Sequence, residues 1–274
     1  MSSVAWLKQF LNRRDLEKSD GRPLFEYRVS RVEYDELHAL LLEIYPRTSH
    51  DCAAFCLYAA EWWRRHGKGL TFDGLLESLE LEVHYTQLYE EIERGLKFWG
   101  RSLRIVHHPS RPWRDFVGSL SREGGLPLQM LLNSQGSVRR FFRQLLRAQR
   151  MGVEMDADQA ALAADELPNA WRDPDIFDLA ARIVRHIWDL RAAVGKSSQP
   201  VVDLDRLRPD WQQRLPILVD NEVAAALVRG LVEDAQQIEV SGRFGLDVLN
   251  RLALHDGKWS FQRVVEAPPQ IPAR

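Results

Sequence analysis

The chain has 274 residues, 45% of them hydrophobic and 28% charged, which excludes a disordered protein and leaves room for one large domain or two ordinary ones. A net charge of −2 predicts no bulk attraction to a polyanion, and two cysteines do not make a disulfide framework. The longest apolar run, Cys52–Ala60, is far short of the ~18 residues that suggest a membrane span, and the opening MSSVAWLKQFLNRRD lacks the features of a secretion signal. The expectation is a cytoplasmic protein without membrane association.

Trp6, Leu7, Phe10 and Leu11 recur at helical spacing and predict a short helix over 4–12, closed by the turn KSDGRPL at 18–24. A second helix is expected from Arg31 to Tyr45, where Pro46 interrupts it. The third has the clearest boundaries: Thr48 or Ser49 as cap, Asp51 near the positive end of the dipole, and Gly67 as stop. Its middle, CAAFCLYAAEWW, is apolar on nearly all sides and calls for a central position. Further helices are expected at 71–81, 84–99, 112–122, 127–133, 136–151 and 156–166, with a turn forced by EGGLP at 123–127. A strong helix follows from Pro174 to Val194, capped by Asp173 and ended by Gly195. KSSQP at 196–200 reads as a connector, and a last long helix covers 219–237. Beyond it the pattern alternates from Leu246 to Leu254, passes Asp256-Gly257, and resumes in WSFQRVVE, the signature of a β-hairpin. The fold class is mainly α: a bundle-like array of helices over 1–195, then 196–274 with a helix and a small C-terminal β-hairpin.

Motifs for catalysis are missing: no phosphate loop, no dinucleotide-binding glycine pattern, no Gly-x-Ser-x-Gly and no His-Glu-x-x-His. Gly124-Gly125 lacks a following Lys and reads as an ordinary turn. Cys52 and Cys56 lie one helical turn apart, but in an apolar helix they read as small buried hydrophobes. His66, some ten residues beyond Cys56, is roughly 15 Å further along the helix and out of reach of a shared metal. His107-His108 reads as a polar loop, and the carboxylates scattered over 73–93 as solvated surface. No metal, cofactor or catalytic residue is assigned.

The distribution of charge is uneven. Residues 97–150 hold eleven basic residues against Asp115 and Glu123, a net +9 that leaves −11 for the remainder. Arg139, Arg143 and Arg147 recur every four residues, flanked by Arg140 and Arg150, while Phe141, Phe142, Leu145 and Leu146 supply an apolar side. Guanidinium groups so spaced suit phosphate, which they grip in a bidentate fork without reading sequence. Arg111 and Arg114 extend the candidate nucleic-acid-binding set. Two other readings stand beside it: pairing of these arginines with the acidic stretches 73–93 or 154–178, and a solvated face.

Four phrases, LYAAEWWRR (57–65), GLKFWGRSLR (95–104), SREGGLPLQMLL (121–132) and FFRQLLR (141–147), together resemble the N-terminal region of the large accessory protein of type III Druantia anti-phage defence systems. The resemblance follows the order of segments over roughly residues 1–260. It implies anti-phage defence, a large helicase as partner and DNA as the common object. Its phrases have no assigned chemistry, so no catalytic residue carries over. Those proteins are much longer, and a hairpin followed by a Pro-rich tail fits a truncated or split form. The expected function is a non-catalytic nucleic-acid-binding or adaptor component. A protein–protein scaffold without nucleic-acid binding and a nuclease with a scattered site are the alternatives, and oligomeric state is left open.

Overall fold

A computed structural model describes residues 2–265 apart from 45–47, 68–70, 84, 107–111, 196–199, 219–220, 245–247 and 256–257. The chain is mainly helical, 67% helix, with small antiparallel β elements. Twelve α-helices are found among the described residues: α1 (Ser3–Asn12), α2 (Arg31–Leu42), α3 (Ser49–His66), α4 (Asp73–Ser78), α5 (Tyr85–Phe98), α6 (Phe116–Glu123), α7 (Leu128–Leu132), α8 (Ser137–Arg150), α9 (Ala157–Ala161), α10 (Pro174–Val194), α11 (Pro200–Leu207) and α12 (Asn221–Phe244). Strands β1 (Arg104–Val106) and β2 (Trp113–Asp115) form one antiparallel pair, and β3 (Val248–His255) and β4 (Lys258–Val265) another.

Local chemistry sets the helix boundaries. At α2 the Ser30 hydroxyl accepts the Glu33 N–H (3.2 Å) and the Glu33 carboxylate accepts the Ser30 N–H (2.9 Å). Thr48 and Asp51 do the same at α3 (3.2 and 2.9 Å), so Thr48 is the cap and Ser49 the first helical residue. Asp173 caps α10 with Pro174 in its first turn, and Gly195 ends it at a positive φ.

Three expected helices are shorter than the sequence pattern suggests. The stretch expected at 71–81 is helical only over Asp73–Ser78, because Glu80 turns into the left-handed region. The helix expected over 156–166 stops at Ala161 and continues as a 3-10 turn at Ala164–Glu166. The one expected from 112 begins at Phe116, because Trp113–Asp115 pair with Arg104–Val106 as strands and Asp115 then caps the helix through the Gly118 N–H (2.8 Å). At the C-terminal end β3 pairs with β4 down to His255 opposite Lys258, with two residues between them along the chain; Asp256-Gly257 themselves lie outside the described residues.

Apolar residues gather in two clusters. The first surrounds α3, whose Cys52–Ala60 are all buried, and includes the aromatic group Trp6, Phe10, Tyr27 and Trp99. The second surrounds α10 and joins it to α8 and α12. The division falls between Leu120 and Leu126, and only Phe25 from the early chain belongs to the second cluster. The boundary expected at 195/196 is therefore not where the core divides: Ile183, Ile187 and Leu190 of α10 share one cluster with Leu227, Leu231 and Ala235 of α12. A polar connector marks a loop, whereas the division of the core depends on which apolar faces meet.

Glycines allow the closest approaches. A Cβ on Gly95 would collide with the Cys52 carbonyl and Cys56 Sγ, so α5 reaches α3 only through glycine there. Gly124 ends α6 against the Ala60 carbonyl, and Gly125 turns at φ +79° beside Phe25 and Leu179. These two glycines form a packed turn between the cores.

Candidate functional site

Two cations of the basic stretch, Arg101 and Arg122, come together at the seam between the two cores. Its centre is Glu123, the last residue of α6, with no solvent exposure. Its Oε2 accepts the Leu24 N–H (3.1 Å), and its Oε1 accepts Arg101 Nε–H (2.8 Å) and Arg122 Nη2–H (3.3 Å). Arg101 also pairs with Asp175 and donates to the Gly21 carbonyl (3.2 Å), while Arg122 pairs with Asp173 (3.0 Å). Burial works against the Arg101 cation, but Glu123 and Asp175 more than offset it and hold its pKa above the ordinary value. Through Asp173 and Asp175 the network grips the N-terminal end of α10. It ties the first cluster to the second with hydrogen bonds to charged groups, the strong kind.

A second seam forms at the far end of α3. Glu61 is buried and pairs with both Arg64 and Arg65, at i+3 and i+4 on the same helix face. Arg64 donates onward to the Leu218 carbonyl, and Arg65 to Val29 (3.2 Å). Arg28 donates to the carbonyls of Leu215 and Gln213, both at 2.8 Å. Glu26 meets Arg182 of α10 at 2.6 Å. The carbonyls of Gln213, Leu215 and Leu218 are thus held by cations of the N-terminal cluster. The sequence phrase LYAAEWWRR held the signal: a Glu followed by Arg at i+3 and i+4, on a helix apolar elsewhere, needs internal pairing when buried.

The arginines expected to line α8 have three different fates. Arg139 is 4% exposed; its Nε donates to Asp234 of α12 at 2.5 Å and its Nη1 to the Leu131 carbonyl at 3.3 Å. Arg143 shares the same Asp234 (3.1 Å) and is half-buried. Arg147 is exposed and has no acidic partner among the described residues. The three therefore do not form one solvent-facing line. At about 100° per residue, a step of four overshoots a full turn by about 40°, so positions 139, 143 and 147 wind through about 80°. They pass from the buried side shared with Val138 and Phe142 out to the surface.

The remaining candidates lie at the surface or at its edge. Arg140 is exposed and pairs with Glu166 (3.0 Å), while Arg150 donates to the Ile238 carbonyl (3.0 Å). Arg114, on β2, pairs with Glu93 (2.8 Å) with both side chains largely in solvent. Arg111 lies outside the described residues, as do His107 and His108. Of the acidic stretches expected as partners, 73–93 supplies Glu93, and 154–178 supplies Glu166, Asp173 and Asp175. The most buried acidic partner within α8's reach, Asp234, comes from neither.

Other reactive groups are held in unreactive form. Cys52 and Cys56 are buried free thiols; burial pushes Cys52 up to about 11 and Cys56 well above its ordinary value. The Cys56 thiol donates to the Ile92 carbonyl (3.5 Å). Both are neutral at physiological pH and poor nucleophiles. Among the described residues, no three His, Cys, Asp or Glu side chains are grouped to hold a metal ion, and no helix is long and apolar enough to cross a membrane.

Comparison with known proteins divides the chain close to where its core divides. Residues 1–126 match the family model of the YjiT N-terminal domain, and residues 133–243 that of the YjiT second domain. Protein YjiT of Escherichia coli (strain K12) is 29% identical over 250 residues, covering 84% of this chain and 46% of that protein. The chain thus spans somewhat less than half the length of this relative. No solved structure matches.

Proposed function

We propose that the chain is a non-catalytic adaptor module of a larger assembly, acting in bacterial anti-phage defence beside a large helicase. The observation that supports an adaptor best is the use of the basic stretch: Arg101, Arg122 and Arg139 are taken up by Glu123, Asp173, Asp175 and Asp234 and tie helices together. Charges placed this way set the orientation of one packed unit against another, which a docking module requires and a hydrolytic site does not. The defence setting rests on the resemblance of the four phrases to the type III Druantia accessory protein.

Retention of a large helicase by the tagged 274-residue protein, together with loss of phage protection when the chain is deleted, would support this reading. Metal-dependent cleavage of DNA by the purified chain would replace it with the nuclease. A second reading, nucleic-acid contact, is favoured by Arg114, Arg140 and Arg147, which lie at the surface. Counterion release from such contacts gives affinity without sequence preference.

A further inference from the structure

We infer that α2 is the surface through which two copies of this chain pair, with the two helices antiparallel about a two-fold axis beside Leu37.

Helix α2 buries one side and leaves the other open. Glu33, Tyr34, Leu37, Leu40 and Leu41 are buried, whereas Arg31, Val32, Asp35, Ala39, Leu42 and Glu43 are exposed. At about 100° per residue, these six fall within an arc of roughly 120°. Val32 is 67% exposed and Leu42 44%, so the open side carries two branched apolar side chains with the small Ala39 between them. Polar groups at its margins are already engaged: Glu36 accepts the Trp6 indole N–H (3.0 Å), and the His38 ring meets the Ser78 carbonyl (2.7 Å).

A second copy fits this face because its residues are placed symmetrically about Leu37. Arg31 and Glu43 stand six positions either side of it, Val32 and Leu42 five, and Asp35 and Ala39 two. Antiparallel pairing about an axis at Leu37 therefore brings each residue level with its counterpart in the other copy, the self-complementarity of an isologous interface. At each end Val32 of one copy meets Leu42 of the other, and Arg31 comes level with Glu43 just beyond that apolar contact. In the middle Ala39 leaves room for Asp35 and lets the helix axes come close. Arg31 bonds Asp35 of its own helix at 3.1 Å with both side chains 56% exposed. A pair so superficial is held weakly, which leaves the guanidinium free to bridge Asp35 and the incoming Glu43. With α2 about 18 Å long, the contact is smaller than the ~1,200 Å² of a standard interface, so the pairing is concentration-dependent.

The test is sedimentation velocity of the whole 274-residue protein in low salt, from low micromolar to several hundred micromolar. The parent mass should rise from 31.7 kDa towards twice that value as concentration increases. Arg31→Glu and Glu43→Arg each set like charges level with one another at both ends, and each should weaken pairing on the order of tenfold. Both keep the helix sound, because an acid in its first turn and a base at its end suit the dipole. Mixed in equal amounts, the two variants should pair with each other as well as the parent does, since a carboxylate at position 31 then meets a guanidinium at position 43 at both ends. The double exchange Arg31→Glu/Glu43→Arg should likewise pair like the parent, and Val32→Asp should leave the chain monomeric. A parent that stays monomeric throughout, single charge variants that pair like the parent, or a mixture that fails to recover pairing would each overturn the inference.

Discussion

Arg139 of α8 and Arg114 of β2 come from the same basic stretch, 25 positions apart, and end in opposite surroundings. Arg139 is enclosed between α8 and α12, fixed by Asp234 and the Leu131 carbonyl. Arg114 stands in solvent with Glu93. The first pair sits where desolvation makes an unmatched charge expensive, so both partners are bound to each other; the second is screened by water and exchanges partners freely. A like-charged run in sequence thus divides into a structural half and a surface half, and only the surface half is available to a ligand.

The sharpest way to break this comparison is to remove the buried acid. Asp234→Ala leaves Arg139 without its counter-charge and Arg143 without a partner, and should cost about 3–5 kcal/mol in urea unfolding. A cost below about 1 kcal/mol would place Arg139 among the surface cations after all. Glu123→Gln keeps the shape and one acceptor but removes the charge that Arg101 and Arg122 share. It should cost about 1.5–3 kcal/mol, and limited proteolysis should then open the chain near 126–133, between the two cores.

A milder test uses His186 of α10, whose buried Nε2 finds no hydrogen-bond partner among the described residues. Burial holds its pKa below the ordinary 6.5, with Arg208 and Arg214 adding to the effect and Asp189 opposing it. Below about pH 6.5 the unfolded chain takes up a proton that the folded one resists. Stability therefore falls as pH drops from there through the lower folded value. His186→Gln should flatten the urea midpoint between pH 7 and 5.5; an unchanged slope would mean that the imidazole is hydrated. The smallest effect belongs to Arg114→Gln, expected within about 0.5 kcal/mol of the parent by thermal melting. A penalty like that of Asp234→Ala would erase the distinction between the two arginines.

Much of the helix pattern was legible residue by residue. Thr48 ahead of Asp51 and Asp173 ahead of Pro174 name their helix starts because capping is satisfied within one turn. The burial of α3 followed from an apolar circumference. The β1–β2 hairpin was not legible, since its three-residue strands are too short to show alternation and their pairing spans a connecting loop. The candidate site was legible as composition alone: eleven basic residues were countable, but which of them face water was not.

What the sequence determined by itself is the mainly helical class, its capped boundaries and the presence of a charge imbalance, because each depends on residues within a turn or two of one another. The tertiary structure decided where the core divides, that Asp234 meets an arginine 95 positions earlier, and that Glu123 collects two arginines and a backbone amide. Those outcomes depend on which helix faces pack together. A four-residue repeat that drifts by about 40° per step turns an apparent line of arginines into a path from core to surface. The partner that neutralises each cation is selected by packing, where the cost of an unpaired buried charge outweighs proximity along the chain.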